Sequence, residues 1–425
     1  MADTIFALSS GSPPAAIAVV RLSGPATRQA LEALGGALPE PRKAVLRTLR
    51  DHSGAVLDRA LVLWFPGPAS ATGEDCGEFH LHGGRAVVAA VLGALDAIDG
   101  LRAARAGEFT RRCFENGRID LAEADALADL LSAETELQRQ IAQAGLTDGI
   151  SKAVRDWRDR VLVLSAGVEG VLDFSDEEDA AELPSSFLDS VRTLADEIGS
   201  WLERPAIAKI RDGIRVALAG PPNFGKSSLF NAILQENAAI VAERAGTTRD
   251  VLQRSVAIDG VPFVLIDTAG LRDETDDEIE QIGIARAEAE MARADIVLWL
   301  GPEGEGPSGS IEIQSRQDDP NGPIKRSADL VVSSVTGFGL DALFAFLTSR
   351  ARQILPKPGV AVANERQRQH LDDAYSALNG LVGEMDLLVI GEQLRAARVA
   401  FDRLLGNAGT EDMLSTLFGR FCIGK

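Results

Sequence analysis

The stretch that most restricts the fold of this chain is Gly220-Pro-Pro-Asn-Phe-Gly-Lys-Ser227, which matches the pattern GxxxxGK[S/T]. It follows an apolar, strand-like run at Arg215–Ala219 and precedes a helix that opens at Ser228-Leu-Phe. Glycines allow consecutive backbone N–H groups to point at one anion, and the following helix adds its positive N-terminal end. The stretch therefore predicts a phosphate-binding loop rather than an ordinary glycine-rich turn.

Further apolar runs with the character of buried strands follow this loop. They lie at Val261–Ile266, Ile296–Leu300 and Leu330–Val332, and helical runs separate them. Strands that alternate with helices are typical of a doubly wound parallel sheet. The run Gly301–Ser310, rich in glycine, proline and glutamate, is expected to be a solvated loop.

The rest of the chain shows two other patterns of apolar residues. Short β-rich runs such as Ile17–Arg21 and Ala60–Phe65 near the N-terminus indicate a small α/β domain. Apolar residues at helical spacing follow in Leu121–Leu131, Val161–Leu172 and Phe187–Leu202, and helical patterns return near the C-terminus. We predict a multidomain α/β protein with four segments: an N-terminal domain (1–118), a helical domain in two parts (119–212 and 356–425), and an inserted Ras-like P-loop domain (213–355).

Composition excludes several classes of protein. The chain has 63 Asp and Glu against 43 Lys and Arg, a net charge of −20, so bulk charge cannot hold a nucleic acid. Arg102, Arg105, Arg111 and Arg112 are the best candidates for a local basic patch, and a solvated face is the alternative. Three dispersed cysteines provide no disulfide framework, and no apolar run approaches the ~20 residues that span a bilayer. We expect a cytoplasmic protein without a membrane segment.

Two downstream motifs indicate which phosphate ligand the loop binds. Gly246-Thr-Thr-Arg-Asp250 supplies threonine hydroxyls that can complete a Mg²⁺ shell, and Asp267-Thr-Ala-Gly270 ends a strand. Lys226 would reach the β- and γ-phosphates, Ser227 would take one Mg²⁺ position, and Asp267 would hold the metal through water. In this order, the motifs predict a GTPase-type domain.

Recognition of the base depends on a degenerate motif. Ser315-Arg-Gln-Asp318 stands where Asn-Lys-x-Asp is usual. Asp318 can accept two N–H bonds from guanine, and the Arg316 stem can cover one face of the base, but Ser315 is expected not to bridge as asparagine would. Ser333-Ser334 after the next strand can support the guanine O6. We expect a weakened guanine preference; the alternative is a polar loop without base contact.

The catalytic apparatus lacks two familiar groups. Leu271 occupies the position of the water-orienting glutamine of Ras-like enzymes, and no arginine finger is evident. Glu280, in the acidic run Asp273–Glu280, can orient water if the loop folds over, although a solvated switch helix is the alternative. A K⁺ ion held by Asn223 and by backbone carbonyls of Ala242–Thr247 would supply the missing positive charge.

Several motifs outside the P-loop domain point to one family. They are Asp3-Thr-Ile, Arg21-Leu-Ser-Gly24, Thr72-Gly-Glu-Asp75, His82-Gly-Gly84, Gly107-Glu-Phe-Thr110, Asn116-Gly-Arg-Ile-Asp-Leu121, Asp173-Phe-Ser-Asp-Glu-Glu178 and Phe421-Cys-Ile-Gly-Lys425. With these motifs, the chain resembles the MnmE (TrmE) family of tRNA modification GTPases over essentially its whole length. The N-terminal set and the terminal motif are specific, because generic GTPases have neither.

The resemblance implies a homodimer formed through the N-terminal domain, which binds 5-formyl- or 5,10-methylene-tetrahydrofolate. It further implies a heterotetramer with the FAD-dependent MnmG protein. Together the two proteins install a carboxymethylaminomethyl or aminomethyl group at C5 of the tRNA wobble uridine. Two other functions stay open from the residues alone: a ribosome-assembly or signalling switch without group transfer, and a folate-dependent transferase in which hydrolysis is vestigial.

The resemblance also assigns roles to residues. It assigns folate binding to Arg21, Glu78, Arg118 and Lys425, and K⁺ binding to Asn223 and the carbonyls of Ala242, Arg244 and Thr247. It assigns Mg²⁺ binding to Ser227 and Thr248. It assigns catalysis to Lys226, the water-orienting Glu280 and Cys422. The GTP/GDP-binding set is Asn223, Phe224, Gly225, Lys226, Ser227, Ser228, Ala242, Glu243, Arg244, Ala245, Gly246, Thr247, Thr248, Asp267, Thr268, Ala269, Gly270, Ser315, Arg316, Asp318, Ser333 and Ser334. Ala71 departs from the usual aromatic residue, and Arg118 replaces the more usual lysine.

Overall fold

The structure is a computed structural model, and it divides into two compact units, Met1–Ala128 with Asp402–Lys425, and Asp129–Phe401. The residues it describes are 3–147, 149–173, 183–205, 207–236, 252–268, 288–316, 318, 324–381, 386–408 and 411–424. The predicted fold class, mixed α/β with a P-loop sheet and many helices, is confirmed. The four predicted segment boundaries stay a prediction.

A six-stranded mixed sheet forms the centre of the first unit. Its strands are β1 (Thr4–Leu8), β2 (Ile17–Ser23), β3 (Val45–Arg50), β4 (Val56–Phe65), β5 (Cys76–His82) and β6 (Leu101–Ala103). Their order is β3-β4-β5-β2-β1-β6, and only the β1–β6 pair is parallel. The two strand-like runs predicted near the N-terminus are confirmed as parts of β2 and β4.

Helices pack on both faces of this sheet, two on the face of Leu22 and Phe79 and one, through Phe109, on the face of Ile5 and Ala7. The helices of the first unit's N-terminal part are α1 (Thr27–Gly35), α2 (Arg85–Asp96) and α3 (Glu108–Glu115). Leu31 of α1 and Leu95 of α2 are buried against Leu22 and Phe79 of the sheet. Because alternate residues of a strand face opposite sides, the arginine between Val20 and Leu22 lies on the other face.

The C-terminal segment belongs to the same unit. Its helix α13 (Glu411–Phe418) packs beside α3, with the Phe418 and Phe114 rings 5.8 Å apart. Gly107 has φ of +68°, and a Cβ there would lie 2.0 Å from the Phe418 carbonyl oxygen. Gly424 has φ of +92°, and its Cβ would lie 2.1 Å from the Leu8 carbonyl oxygen. Glycine is required at both places because the backbones approach too closely for a side chain.

An ion cluster joins α3 to the N-terminal strands. The Arg112 side chain is only 10% exposed, and it binds Asp3 at 2.8 Å and Glu74 at 2.9 Å. Arg102 donates to Glu108 at 2.9 Å. Burial alone raises the pKa of the Glu108 carboxyl, but the hydrogen bonds and charge of Arg102 outweigh it, so this pKa lies below its ordinary value of 4.5.

The arginines of this cluster were candidates for a basic patch or a solvated face. Neither interpretation holds for Arg112, because it is buried among carboxylates. Arg102 is neutralised by Glu108, and Arg111 pairs with Glu115 at 2.7 Å. Arg102, Arg111 and Arg112 are therefore paired with carboxylates and present little free positive charge.

The second unit contains a six-stranded doubly wound sheet. Its strands are β7 (Ile214–Ala219), β8 (Leu252–Ile258), β9 (Val261–Asp267), β10 (Ile296–Trp299), β11 (Ile311–Gln314) and β12 (Leu330–Val331). The order is β12-β11-β10-β7-β9-β8, and every pair is parallel except the β8–β9 hairpin. Four of these strands were predicted from apolar runs and are confirmed.

Helices complete both units. Their bounds are α4 (Leu121–Ser132), α5 (Glu136–Thr147), α6 (Ile150–Asp173), α7 (Phe187–Leu202), α8 (Ala208–Asp212), α9 (Lys226–Glu236), α10 (Leu340–Ile354), α11 (Glu365–Asn379) and α12 (Leu387–Leu405). Helix α7 has the bounds that periodicity predicted. Trp157 packs edge-on against Trp201 with ring centroids 6.4 Å apart. Within the described ranges, no helix combines the length and apolarity needed to cross a membrane.

Replacement of Glu108 by glutamine should destabilise the protein at pH 7 by about 2 kcal/mol, because charge-assisted bonds to Arg102 are lost. A carboxylate with a lowered folded-state pKa stabilises above its ordinary pKa, and this stabilisation disappears as pH falls through the folded value. The difference between wild type and Glu108→Gln should therefore shrink below about pH 4.5. Thermal unfolding as a function of pH measures this difference.

Glu32→Gln is the matched control, because Glu32 forms an exposed ion pair with Arg28 in the same unit. It should change stability little at any pH. A Glu108→Gln curve that stays parallel to the wild-type curve down to pH 3 would contradict the assigned role of the carboxylate.

Candidate GTP-binding site

The predicted phosphate loop connects the end of β7 to the start of α9. Asn223 and Gly225 have φ of +66° and +88°, left-handed values that asparagine and glycine tolerate best. The Lys226 side chain is buried, and its Nζ donates to the carbonyl oxygens of Gly220 at 2.8 Å and Pro221 at 2.7 Å. These bonds fold the loop around the ammonium group.

The two residues predicted beside the metal, Ser227 and Asp267, contact each other next to the loop. Asp267 ends β9 next to β7, and its carboxylate accepts a hydrogen bond of 2.7 Å from the Ser227 hydroxyl. Thr268 donates to the backbone oxygen of Leu218 at 2.8 Å, which fixes the end of β9 against β7. A hydroxyl and a carboxylate in contact at the foot of a phosphate loop are the hard oxygen donors that suit Mg²⁺.

A cavity of about 350 Å³ lies next to the loop. Six residues of the predicted GTP-binding set line it: Gly225, Ser228, Ser315, Arg316, Asp318 and Ser334. Ser333 lies beneath, and its hydroxyl donates to the Asp318 carboxylate at 2.5 Å. The structure thus brings together the phosphate loop and the segments predicted to recognise the base.

The expectation that Ser315 cannot bridge the two loops is wrong. Its hydroxyl donates to the Phe224 carbonyl oxygen at 2.8 Å, and the residue is buried. Arg316 donates to the Asn223 carbonyl oxygen at 2.5 Å. The short serine side chain is sufficient because the backbone of β11 ends close to the phosphate loop.

Sequence reasoning missed the apolar lining of this cavity. Leu229, Val332 and Val335 contribute to it. The two valines flank Ser333-Ser334, so their position next to that motif was the available signal. Apolar side chains of this kind can pack against the face of a bound base.

Some predicted residues lie outside the residues that the structure describes. They are Ala242, Glu243, Arg244, Ala245, Gly246, Thr247, Thr248, Ala269, Gly270, Glu280 and Lys425. Their roles in GTP, K⁺, Mg²⁺ and folate binding and in catalysis stay predictions.

The first unit holds the predicted folate residues. Arg21 on β2 lies opposite Glu78 on β5, and their side chains form an ion pair of 3.0 Å. Burial, reinforced by Cys76, raises the pKa of the Cys113 thiol to about 11, and the charges of Arg21 and Arg118 oppose this rise. The charges of both arginines therefore act on the same half-buried thiol.

The terminal motif lies at the end of β1. Ser9 donates its hydroxyl to the Gly424 carbonyl oxygen at 2.8 Å, and Ile423 pairs with Ala106. Cys422 is exposed, and it lines a groove of about 850 Å³. Unlike Cys113, this thiol is accessible to a reactant.

Comparison with known proteins identifies the family. Residues 4–118 match the model of the GTP-binding protein TrmE N-terminus, and residues 121–422 match that of the MnmE helical domain. The tRNA modification GTPase MnmE of Erythrobacter litoralis is 59% identical, and that of Novosphingobium aromaticivorans 55%; each alignment covers 100% of both chains. The chain belongs to the MnmE family of tRNA modification GTPases. The resemblance inferred from sequence motifs is confirmed.

One solved structure is also similar to part of this MnmE-family chain. The G domain of the T. maritima FeoB iron transporter is 26% identical over 33% of this chain and 99% of that one. The TM-score is 0.25, so the family assignment depends on the family models and the sequence relatives.

Replacement of Asp318 by asparagine should exchange guanine for xanthine recognition. The carboxylate can accept two N–H bonds from guanine, whereas an amide can donate to the oxygen that xanthine carries at the same edge. Loss of two bonds of about 1.5 kcal/mol each should weaken GTP binding about 100-fold, with a gain in xanthosine triphosphate binding. Titration calorimetry with both nucleotides measures the exchange. If Asp318→Asn binds GTP as tightly as the wild type, the prediction that this cavity recognises the base is wrong.

Proposed function

We propose that this chain hydrolyses GTP in the course of tRNA modification, using the site formed by the phosphate loop and the adjoining cavity. The observation that carries the proposal is the convergence of Lys226, the Ser227–Asp267 pair and Asp318 at one edge of the parallel sheet. Its relatives of 55–59% identity over their full length are named tRNA modification GTPases, which supports the same function here.

Each residue of the site has a distinct task in this proposal. The Lys226 ammonium and the loop N–H groups hold the β- and γ-phosphates, and Asp318 orients the guanine. Ser227, Asp267 and Thr248 would hold Mg²⁺, which neutralises charge on the phosphates when bound. Glu280 would orient the attacking water, since Leu271 has no polar group for that task.

Potassium would supply the positive charge that no side chain provides. Asn223 is an exposed residue of the phosphate loop, and with the carbonyls of Ala242, Arg244 and Thr247 it forms the proposed K⁺ site. Oxygen ligands without formal charge suit an alkali cation beside the phosphates. The K⁺ ion would then stabilise the transition-state charge on the phosphates, which is the role of the arginine finger in other GTPases.

The first unit would supply the one-carbon chemistry. Arg21, Glu78, Arg118 and Lys425 form the proposed site for a 5-formyl- or 5,10-methylene-tetrahydrofolate. The Arg21–Glu78 pair offers donors and acceptors to the pterin, and the exposed Cys422 would act on the pyrimidine as a thiolate.

The open face of the first sheet supports a homodimer. Leu46 of β3 lies directly opposite Leu61 of β4, and the two are 49% and 41% exposed. Ile17 of β2 is 60% exposed. Apolar side chains on an uncovered sheet face are typical of a protein–protein interface.

The remaining partners follow from the same proposal. With a net charge of −20, the chain would bind tRNA together with the FAD-dependent MnmG protein in a heterotetramer in the cytoplasm. The product would be a carboxymethylaminomethyl or aminomethyl group at C5 of the wobble uridine. A ribosome-assembly or signalling switch has no use for the Arg21–Glu78 site, which favours the modification function.

GTP turnover should be about 100-fold faster in KCl than in NaCl, because Na⁺ is too small for the proposed site. Asn223→Gly should abolish the stimulation by K⁺ and keep GTP binding, since glycine accepts the left-handed φ of this position and the loop backbone and Lys226 stay in place. Steady-state phosphate release at equal ionic strength measures both effects. Equal rates in the two salts for the wild type would contradict a potassium-dependent mechanism.

Cells lacking this protein should lose the C5 modification of the wobble uridine, as measured by mass spectrometry of tRNA nucleosides. The wild-type gene should restore it, whereas Arg21→Ala should not, because Glu78 would lose its partner and the folate a donor. Arg28→Ala, which breaks only an exposed ion pair with Glu32, is the control and should restore the modification. Unaltered nucleosides in the deletion strain would favour the signalling switch.

A further inference from the structure

The connection between β10 and β11 differs from the usual crossover of a doubly wound sheet. The two strands are adjacent and parallel, with Leu298 opposite Ile311. Parallel neighbours are usually joined through a helix that packs on the sheet. Here residues 300–310 contain no helix, and the Trp299 indole donates to the Pro302 carbonyl oxygen at 2.8 Å. The end of β11, where the base-recognition segment begins, therefore lacks the support of a crossover helix.

A buried lysine holds this end of the sheet instead. The Lys325 side chain is 7% exposed. Its Nζ donates to the Trp299 carbonyl oxygen of β10 at 2.8 Å and to the Glu312 carboxylate of β11 at 2.6 Å. Breaking a buried ion pair is costly, because the remaining member is left as an uncompensated charge. The Lys325 ammonium is therefore held firmly between the two strands.

Gln314 links this lysine to the start of the base-recognition segment. Its Oε1 accepts a bond of 2.5 Å from the Lys325 backbone N–H, and its Nε2 donates to the Ser315 carbonyl oxygen at 3.0 Å. Gln314 is buried. One side chain thus ties together both ends of the segment 315–325, which carries Asp318.

A second contact holds the chain just beyond this point. The Glu303 carboxylate accepts the backbone N–H groups of Arg326 and Ser327, each at 2.9 Å. The Ser327 hydroxyl also donates to this carboxylate, and its bond, together with the two backbone donors, lowers the pKa of Glu303 below its ordinary value. The short connection between β10 and β11 therefore contributes to the same anchor.

We propose that Lys325 is a positioning residue for guanine recognition, which acts by fixing both ends of the segment that presents Asp318. A pocket whose described walls, Ser315 and Asp318, are already fixed by the sheet loses less freedom when a base binds than a pocket whose walls are not fixed. This smaller loss of freedom strengthens the binding of guanine, whose N–H groups bond to Asp318. It does not strengthen the binding of adenine, which has no N–H at the corresponding edge. The inference rests on the proposed binding of GTP at this site.

The test is Lys325→Met in the full chain, with dissociation constants for GTP, ITP and ATP measured by titration calorimetry. The GTP dissociation constant should rise about tenfold and the ATP constant should stay within about twofold. ITP lacks the 2-amino group that supplies one of the two N–H bonds to Asp318, so the GTP-to-ITP preference should fall as well. Lys209→Met is the matched control, because Lys209 pairs with Asp295 just before the opposite end of β10. It should leave all three constants unchanged.

The outcomes separate this inference from the proposed function. Equal weakening of GTP and ATP in Lys325→Met would show that the lysine supports only the fold, and it would overturn the inference, as would unchanged constants. If circular dichroism shows that Lys325→Met does not fold, Glu312→Gln replaces it; this variant keeps the bond to Trp299 and should lower the GTP preference in the same direction. A wild-type protein that binds ATP as tightly as GTP would overturn both guanine binding and the inference, before any substitution is made.

Discussion

The nucleotide site depends on one reversal of the chain, between β7 and α9. The Lys226 ammonium bonds to the carbonyl oxygens of Gly220 and Pro221 and so closes the loop around itself. Each bond to a charged group contributes about 1.5–3 kcal/mol, and the buried ammonium would be costly without them. Left-handed φ values at Asn223 and Gly225 then turn successive N–H groups toward the enclosed space. The loop is therefore prepared for an anion by interactions within the protein itself.

The parallel sheet brings distant parts of the sequence to this loop. Asp267 ends β9, and Ser315 and Ser333 follow β11 and β12; these strands run parallel to β7 and so end at the same edge. Ligands of open α/β sheets bind outside these carboxyl ends. The Ser227–Asp267 pair and the cavity lined by Ser315 and Asp318 lie on either side of the loop because β9 and β10 flank β7.

Much of this fold could be predicted from sequence because buried parallel strands are continuous apolar runs, as β7, β9 and β10 show. Strand β11 was harder to recognise, since Ile311-Glu-Ile-Gln314 is short and alternates with polar residues. The site residues of the loop and the cavity were found through their motifs. The burial of Arg112 was not, because Asp3 and Glu74 reach it only through tertiary packing. The bond from Ser315 likewise depends on where the Phe224 carbonyl lies, which no motif specifies.

In the proposed base site, Ser315 and Lys325 together would compensate for the degenerate motif. Asparagine would span the gap between the loops by its own length, whereas serine requires the backbones to lie close together. That closeness has to be maintained by the surrounding framework, and the connection between β10 and β11 offers no helix to maintain it. The buried Lys325 joins these strands directly, and Gln314 transmits its position to Ser315. The geometry of the base pocket is thus set by the sheet beneath the motif more than by the motif itself.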